Sequence, residues 1–317
     1  MPEHWQERLQ ADLMTAGEIC RYAGIDRKTY DRIQKRFPIR LVRGMLAHDL
    51  SGAIARQYLP QAAELESGGL TDPLQEERHR KAGFIIHRYP NRALFLVSSA
   101  CPSYCRFCTR RRLIGKSPGP NQAELLEALE YIRNTPQLNE VILSGGDPLL
   151  LSDEKLDSIL SRLRSIPHLR LLRIATRAFL PIPERFTPGL ITLLRKYQPV
   201  YLITQFNHPD EFSPGVDEAV QKVADAGIPI LNQSVLLRGI NDNPQIMLEL
   251  VQKMVERRIR PYYLHQLDPV RGALHFQVPV KRGKQIMEFL RQNIGGYAVP
   301  AYVFDDPAEP AKKLLYP

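Results

Sequence analysis

The sequence predicts an α/β fold, a partial (β/α)6-type barrel of parallel strands with a helical region ahead of it, and three observations predict it. Apolar runs of strand length near 93–98, 139–143, 169–175, 199–204, 228–234 and 260–267 alternate with amphipathic stretches near 121–134, 152–165, 187–197, 214–226 and 244–258. Strand followed by helix, repeated, builds a parallel sheet. A chain of 317 residues with 44% hydrophobic content can bury one large core. Finally, polar residues stand where each apolar run stops, as expected if the carboxyl ends of the strands form a shared mouth.

Taken in order, residues 1 to about 65 read as short helices, including 26–35 and 45–59, with Gly24 and Gly44 as punctuation. The stretch 66–73 reads as a linker, which gives a helical region over 1–70, a barrel over 71–305 and a short terminal segment over 306–317. The cysteine-rich loop follows the first barrel strand, and Ser144-Gly145-Gly146-Asp147-Pro148 the second. Thr176 and Arg177 end the third, Gln205, Asn207 and His208 the fourth, and Asn232, Gln233 and Ser234 the fifth. His265, Gln266 and Asp268 end the sixth; a helix near 279–292 and a strand over 298–304, ending at Asp305 and Asp306, complete the pattern.

The net charge of +9 raises nucleic acid as a partner, but Lys and Arg are spread along the chain and no RNA-binding motif is present. Solubility and the docking of an acidic electron donor account for it better. No apolar run is long enough to span a bilayer and the first residues lack a signal-peptide layout, so the expectation is a cytoplasmic protein without a membrane partner.

Cys101, Cys105 and Cys108 carry the chemistry, in a chain whose only other cysteine is Cys20. Three thiolates in C-x3-C-x2-C spacing can hold three irons of a [4Fe-4S] cluster, leaving the fourth iron free to bind a small molecule. Zinc would call for a fourth Cys or His at motif spacing, and a disulfide framework does not suit an intracellular chain of this size. Gly145 and Gly146 allow the backbone to approach a ligand closely, and Asp147 can accept a hydrogen bond from an ammonium group.

The run Cys101-Pro-Ser-Tyr-Cys105-Arg-Phe-Cys108-Thr-Arg110-Arg111-Arg112 resembles the radical S-adenosylmethionine (SAM) superfamily and, through the Thr-Arg-Arg-Arg that ends it, the lysine 2,3-aminomutase family. The resemblance extends over roughly Thr71 to Lys312 and implies a radical SAM barrel. It also implies that the open iron chelates SAM and that one electron releases a 5′-deoxyadenosyl radical. Gly145, Gly146 and Asp147 resemble the segment that holds the SAM amino group, while Thr176, Arg177 and Gln233 fall where family members contact SAM. His265 stands where zinc-containing members carry tyrosine, and a contact with the adenosyl group is left open.

The segment from Asp305 to Lys312 is similar to one in which an aspartate precedes a Schiff-base lysine by seven positions, implying pyridoxal 5′-phosphate (PLP) on Lys312 with Lys313 as the competing candidate. The family's glycine-rich run is here Ala308-Glu-Pro-Ala311. Tyr89-Pro-Asn-Arg92 carries the family's Tyr-Pro-x-Arg pattern, which makes Arg92 the expected phosphate ligand and Tyr89 a cofactor contact.

Arg110 matches the position that pairs with the substrate α-carboxylate, with Arg111 and Arg112 read as solvated charges. Asp268 and Asp305, 37 positions apart, match the two acids that clasp the distal ammonium of lysine. The cysteines of a zinc site have no counterpart, Asn243 standing near one of those places, so no zinc is expected. The run Tyr263–Asp268, the Glu309–Lys312 segment and the short ending resemble the branch that makes (R)-β-lysine for elongation factor P.

The implied reaction converts L-lysine to β-lysine by 1,2-amino migration, with a flavodoxin- or ferredoxin-type reductant and the oligomeric state left open. Another cationic amino acid, a radical SAM modifying enzyme without PLP and a non-catalytic iron–sulfur protein are the alternatives.

Overall fold

A computed structural model describes residues 4–116 and 119–316. Nine strands form one sheet in chain order: β1 (Ile85–Tyr89), β2 (Arg92–Ser98), β3 (Glu140–Gly145), β4 (Leu171–Ala175), β5 (Val200–Thr204), β6 (Ile230–Leu236), β7 (Ile259–Gln266), β8 (Ala301–Phe304) and β9 (Lys313–Tyr316). Strands β2 to β8 are parallel, and β1 and β9 pair antiparallel at the two edges. The edges do not pair with each other, so the barrel stays open. Helices α1 (His4–Ala11), α2 (Ala16–Ala23), α3 (Arg27–Arg36) and α4 (Ala53–Tyr58) precede the sheet. The crossovers are α5 (Gln122–Arg133), α6 (Asp153–Arg164), α7 (Pro188–Lys196), α8 (Pro214–Asp225), α9 (Pro244–Glu256) and α10 (Val280–Asn293).

Local chemistry explains these boundaries. Thr187, Ser213 and Asn243 each cap a helix through a side-chain oxygen, and Pro188, Pro214 and Pro244 follow them, where a missing N–H costs the helix nothing. Strand burial alternates, as in β6, where Ile230 and Leu236 are buried beneath the helices while Leu231, Gln233 and Val235 face the barrel interior. The barrel strands and helices all fall within three residues of the expected runs.

Three expectations need correction. Residues 45–59 do not form one helix: a 3-10 turn over Arg43–His48 gives way to the shorter α4. The Asp49 carboxylate accepts from the Ile54 and Ala55 N–H groups at 2.9 and 2.6 Å, and Gly52 takes a left-handed conformation, so helix starts afresh after it. Residues 66–73 are not a free linker, because Leu70 forms a bridge with Val270 through Leu70 N–H to Pro269 O at 2.7 Å and Arg271 N–H to Leu70 O at 2.9 Å. The edge strands β1 and β9 were not expected. Trp5, Ile19 and Tyr58 of the N-terminal region share one buried core with Leu143, Leu172 and Leu202 of the barrel.

Candidate active site

Every expected site residue lines one cavity of about 860 Å³ that runs through the barrel interior, from the carboxyl ends of the strands to Arg92 at the start of β2. Cys101, Cys105 and Cys108 open onto it as free, partly buried thiols. Burial, then Asp147 and the neighbouring thiols, pushes Cys101 up, and burial, then Cys105, pushes Cys108 up to about 11. A metal that takes the thiolate charge offsets this burial cost at Cys101 and Cys108. Among the described residues no trio of His, Cys, Asp or Glu is grouped to hold a single ion. A cubane places each cysteine on a different iron, so its ligands need not converge on one point, and three thiols on a cavity wall fit that group.

The loop is moulded by the N-terminal region. Arg106, fully buried, pairs with Glu64 at 2.8 Å and donates to the Pro38 carbonyl at 2.9 Å, while Arg111 donates to the same Glu64 carboxylate. Arg112 meets Glu76 at 3.0 Å and Asp72 at 3.3 Å. Arg111 and Arg112 are thus ion-paired clamps and not solvated charges. Backbone bonds from Arg106 N–H to Gln57 O and from Tyr104 N–H to Arg40 O complete the grip.

The two glycines after β3 serve the same loop. Gly146 N–H donates to Ser98 O at 2.6 Å and Asp147 N–H to Ala100 O at 2.8 Å. A Cβ at Gly145 or Gly146 would lie 2.0 or 2.1 Å from those carbonyl oxygens, so the close approach is to the cysteine loop's own backbone. Asp147 also differs from expectation: its carboxylate accepts from the Thr176 hydroxyl at 2.8 Å and from the Leu149 and Arg177 N–H groups at 3.0 and 2.8 Å. It ties the ends of β3 and β4 together, and Thr176 is its partner. Burial raises its pKa despite these donors.

Arg110 donates to Glu76 at 2.8 Å and to the Ser144 hydroxyl at 3.1 Å, so its guanidinium already has an acidic partner. Burial pushes Glu76 up, but Arg110 and Arg112 outweigh it and leave the carboxyl below its ordinary range. Gln233 Oε1 lies 3.3 Å from His265 Nε2; burial, then Lys312, pushes His265 down to about 3, so its ring is neutral.

At the opposite wall, Lys312 donates to Asp305, whose other oxygen accepts from Arg88 at 2.7 Å. Burial pushes Asp305 up, but Lys312 and Arg88 outweigh it and leave the group lowered. The two expected acids therefore do not form an empty clasp, because Asp305 carries two cations. Among the described residues the Asp268 carboxylate has none. Burial and then Asp305 push it up to about 7. Lys312 faces the cavity, whereas Lys313 is exposed and pairs through its backbone with Phe304.

Arg92 lies 3.8 Å from the ring centroid of Tyr89 and donates to the neutral Asn91 side chain at 3.2 Å, and among the described residues its charge has no acidic partner. Among the described residues the buried Tyr89 hydroxyl has no hydrogen-bond partner. A free guanidinium beside an orphaned hydroxyl suits an anion such as phosphate, and with Lys312 in the same cavity the residues fit PLP. Arg88 was missed because 85–89 was not read as a strand. Once β1 is recognised, its alternation marks Arg88 as an inward residue beside Asp305.

An open parallel barrel with three cysteines in the loop after its first parallel strand defines the radical SAM class, and residues 95–251 match the radical SAM superfamily. The chain is 46% identical over 273 residues to the L-lysine 2,3-aminomutase of Clostridium subterminale, covering 85% of this chain and 66% of that protein. It is 37% identical over 325 residues to the L-lysine 2,3-aminomutase of Escherichia coli (strain K12), covering 99% of this chain and 94% of that one. The crystal structure of Streptococcus suis SuiB bound to S-adenosylmethionine shares the fold, with a TM-score of 0.52 at 14% identity over 68% of this chain and 51% of that one. The chain belongs to the lysine 2,3-aminomutase family of radical SAM proteins. It spans just under two thirds of the length of the Clostridium relative.

Proposed function

We propose that the protein is a radical SAM, PLP-dependent 2,3-aminomutase that converts L-lysine to β-lysine. The observation that carries this reading is that the three thiols, the Asp305–Lys312 pair and the unpaired Asp268 open onto one cavity. In such a site the cluster with SAM supplies the hydrogen-abstracting radical, and PLP carries the migrating nitrogen.

Each protein group has a task there. Cys101, Cys105 and Cys108 hold the irons, and the Gly145-Gly146 backbone edge faces the SAM amino group, with Gln233 and the neutral His265 beside the adenosyl moiety. Asp305 holds the Lys312 Nζ in place through their ion pair. Arg92 and Tyr89 bind the phosphate, and Arg110 meets the substrate α-carboxylate through the edge now bonded to Ser144. Asp268 pairs with the distal ammonium, which removes the penalty on its buried charge. The N-terminal region and the C-terminal segment exclude water from the mouth.

No zinc is required. A flavodoxin- or ferredoxin-type carrier supplies the electron in the cytoplasm, and the β-lysine serves modification of elongation factor P, a reading supported by the Tyr263–Asp268 and Glu309–Lys312 segments.

Anaerobic incubation with L-lysine, SAM, PLP and dithionite, followed by chiral separation, tests the proposal. β-Lysine should form only when all four are present. Product from ornithine or arginine but not lysine would move the substrate. Release of 5′-deoxyadenosine without any β-amino acid would reject the aminomutase while keeping the radical class.

A further inference from the structure

One part-buried cation in this cavity is aimed at a cysteine. Arg177, just beyond β4, places Nη1 2.8 Å from Cys105 Sγ. Its Nη2 donates to Glu211 Oε2 and to Gln57 Oε1, each at 3.2 Å. The guanidinium is flanked by the rings of Tyr58 and Phe107, at 5.1 and 5.7 Å from their centroids. Glu211 is fully buried, and its second oxygen accepts from the Asn207 and His208 N–H groups at 2.9 and 3.0 Å and from Gln57 Nε2 at 2.9 Å. The backbone after β5 thus fixes the carboxylate, the carboxylate fixes the arginine, and the arginine meets the sulfur.

We infer that Arg177, oriented by Glu211, is a positioning residue that raises the reduction potential of the cluster through its hydrogen bond to Cys105. The inference rests on the reading of Cys105 as a cluster ligand. A one-electron donor adds a negative charge to the cluster, and a cation bonded to a ligand sulfur stabilises the reduced form more than the oxidised one. A planar, permanently charged fork suits this role because one edge can hold the carboxylate while a corner reaches sulfur. Glu211 opposes the effect from farther away, so the two charges act on the potential in opposite senses.

The test is an anaerobic redox titration followed by EPR, with dithionite as reductant and no SAM, on reconstituted wild-type, R177K, R177Q and E211Q proteins. The expected order runs from E211Q, the highest potential, through wild type and R177K to R177Q, the lowest. A purely structural role would not shift Glu211 and Arg177 variants in opposite directions. Equal potentials for R177Q and wild type would overturn the inference. If wild type binds no cluster, the reading of the cysteines fails instead. Should R177Q take up no iron, pulsed EPR on reduced protein grown with isotope-labelled arginine decides: a guanidinium nitrogen coupling present in wild type and lost in R177K supports the inference, and its absence in wild type overturns it.

Discussion

Asp268 is a residue whose burial works against the resting protein and, in the proposed function, for the substrate. Its carboxyl is raised to about 7, so the folded state holds a proton that the unfolded chain releases near its ordinary value. Ligand-free stability from this group is therefore lost as pH rises from about 4 to about 7. Asp268→Asn should raise the Tm of ligand-free protein above neutral pH while weakening lysine binding by about 1.5–3 kcal/mol, or roughly 10- to 150-fold in KM. Wild-type KM for lysine should rise as pH falls below 7, and the variant should lose that dependence; unchanged lysine kinetics would remove Asp268 from substrate recognition. Lys312 offers a second check. Lys312→Ala should abolish the absorbance of imine-bound PLP while Lys313→Ala keeps it, since only Lys312 faces the cavity; the reverse would shift the register by one. The motif residues were legible as a set, but their present partners were not. The family resemblance paired Asp268 with Asp305, whereas the fold gives Asp305 to Lys312 and Arg88, contacts made across β1 and the C-terminal segment that no local pattern encodes.

At the scale of elements, the cysteine loop has little regular structure and depends on what surrounds it. Glu64 holds both Arg106 and Arg111, and removing one side of a buried pair costs about 3–5 kcal/mol because the other charge stays buried. Glu64→Gln should lower Tm and the iron retained after anaerobic reconstitution. Removing Asp31 from its exposed pair with Arg27 should change neither, and equal iron retention in both variants would show that the loop needs no clamp. The barrel strands and helices were legible because their periodicity and caps are local. The break at Asp49–Gly52 was not, since a carboxylate reaching forward to two N–H groups competes with a helix that apolar spacing alone favours. Strand β9 was not either, because its four residues gain strand geometry only by pairing with β8.

Over the whole molecule, one mouth is built from distant parts of the chain: the N-terminal region clamps the cysteine loop, β3 and β4 are tied by Asp147, and the C-terminal segment returns Lys312 to the rim through β9. No helix among the described residues is long and apolar enough to cross a membrane. The family could be recognised from the cysteine run alone, whereas the continuity of the N-terminal helices with the barrel core required the fold, because helical patterning does not say what a helix packs against. The account depends on three sulfurs leaving one iron corner free beside the lysine proposed to bind PLP. Double-resonance EPR on the reduced protein with SAM isotopically labelled at its amino nitrogen tests this most directly. A hyperfine coupling from that nitrogen is predicted; a cluster with no site left to bind SAM, or no cubane at all, would contradict the account.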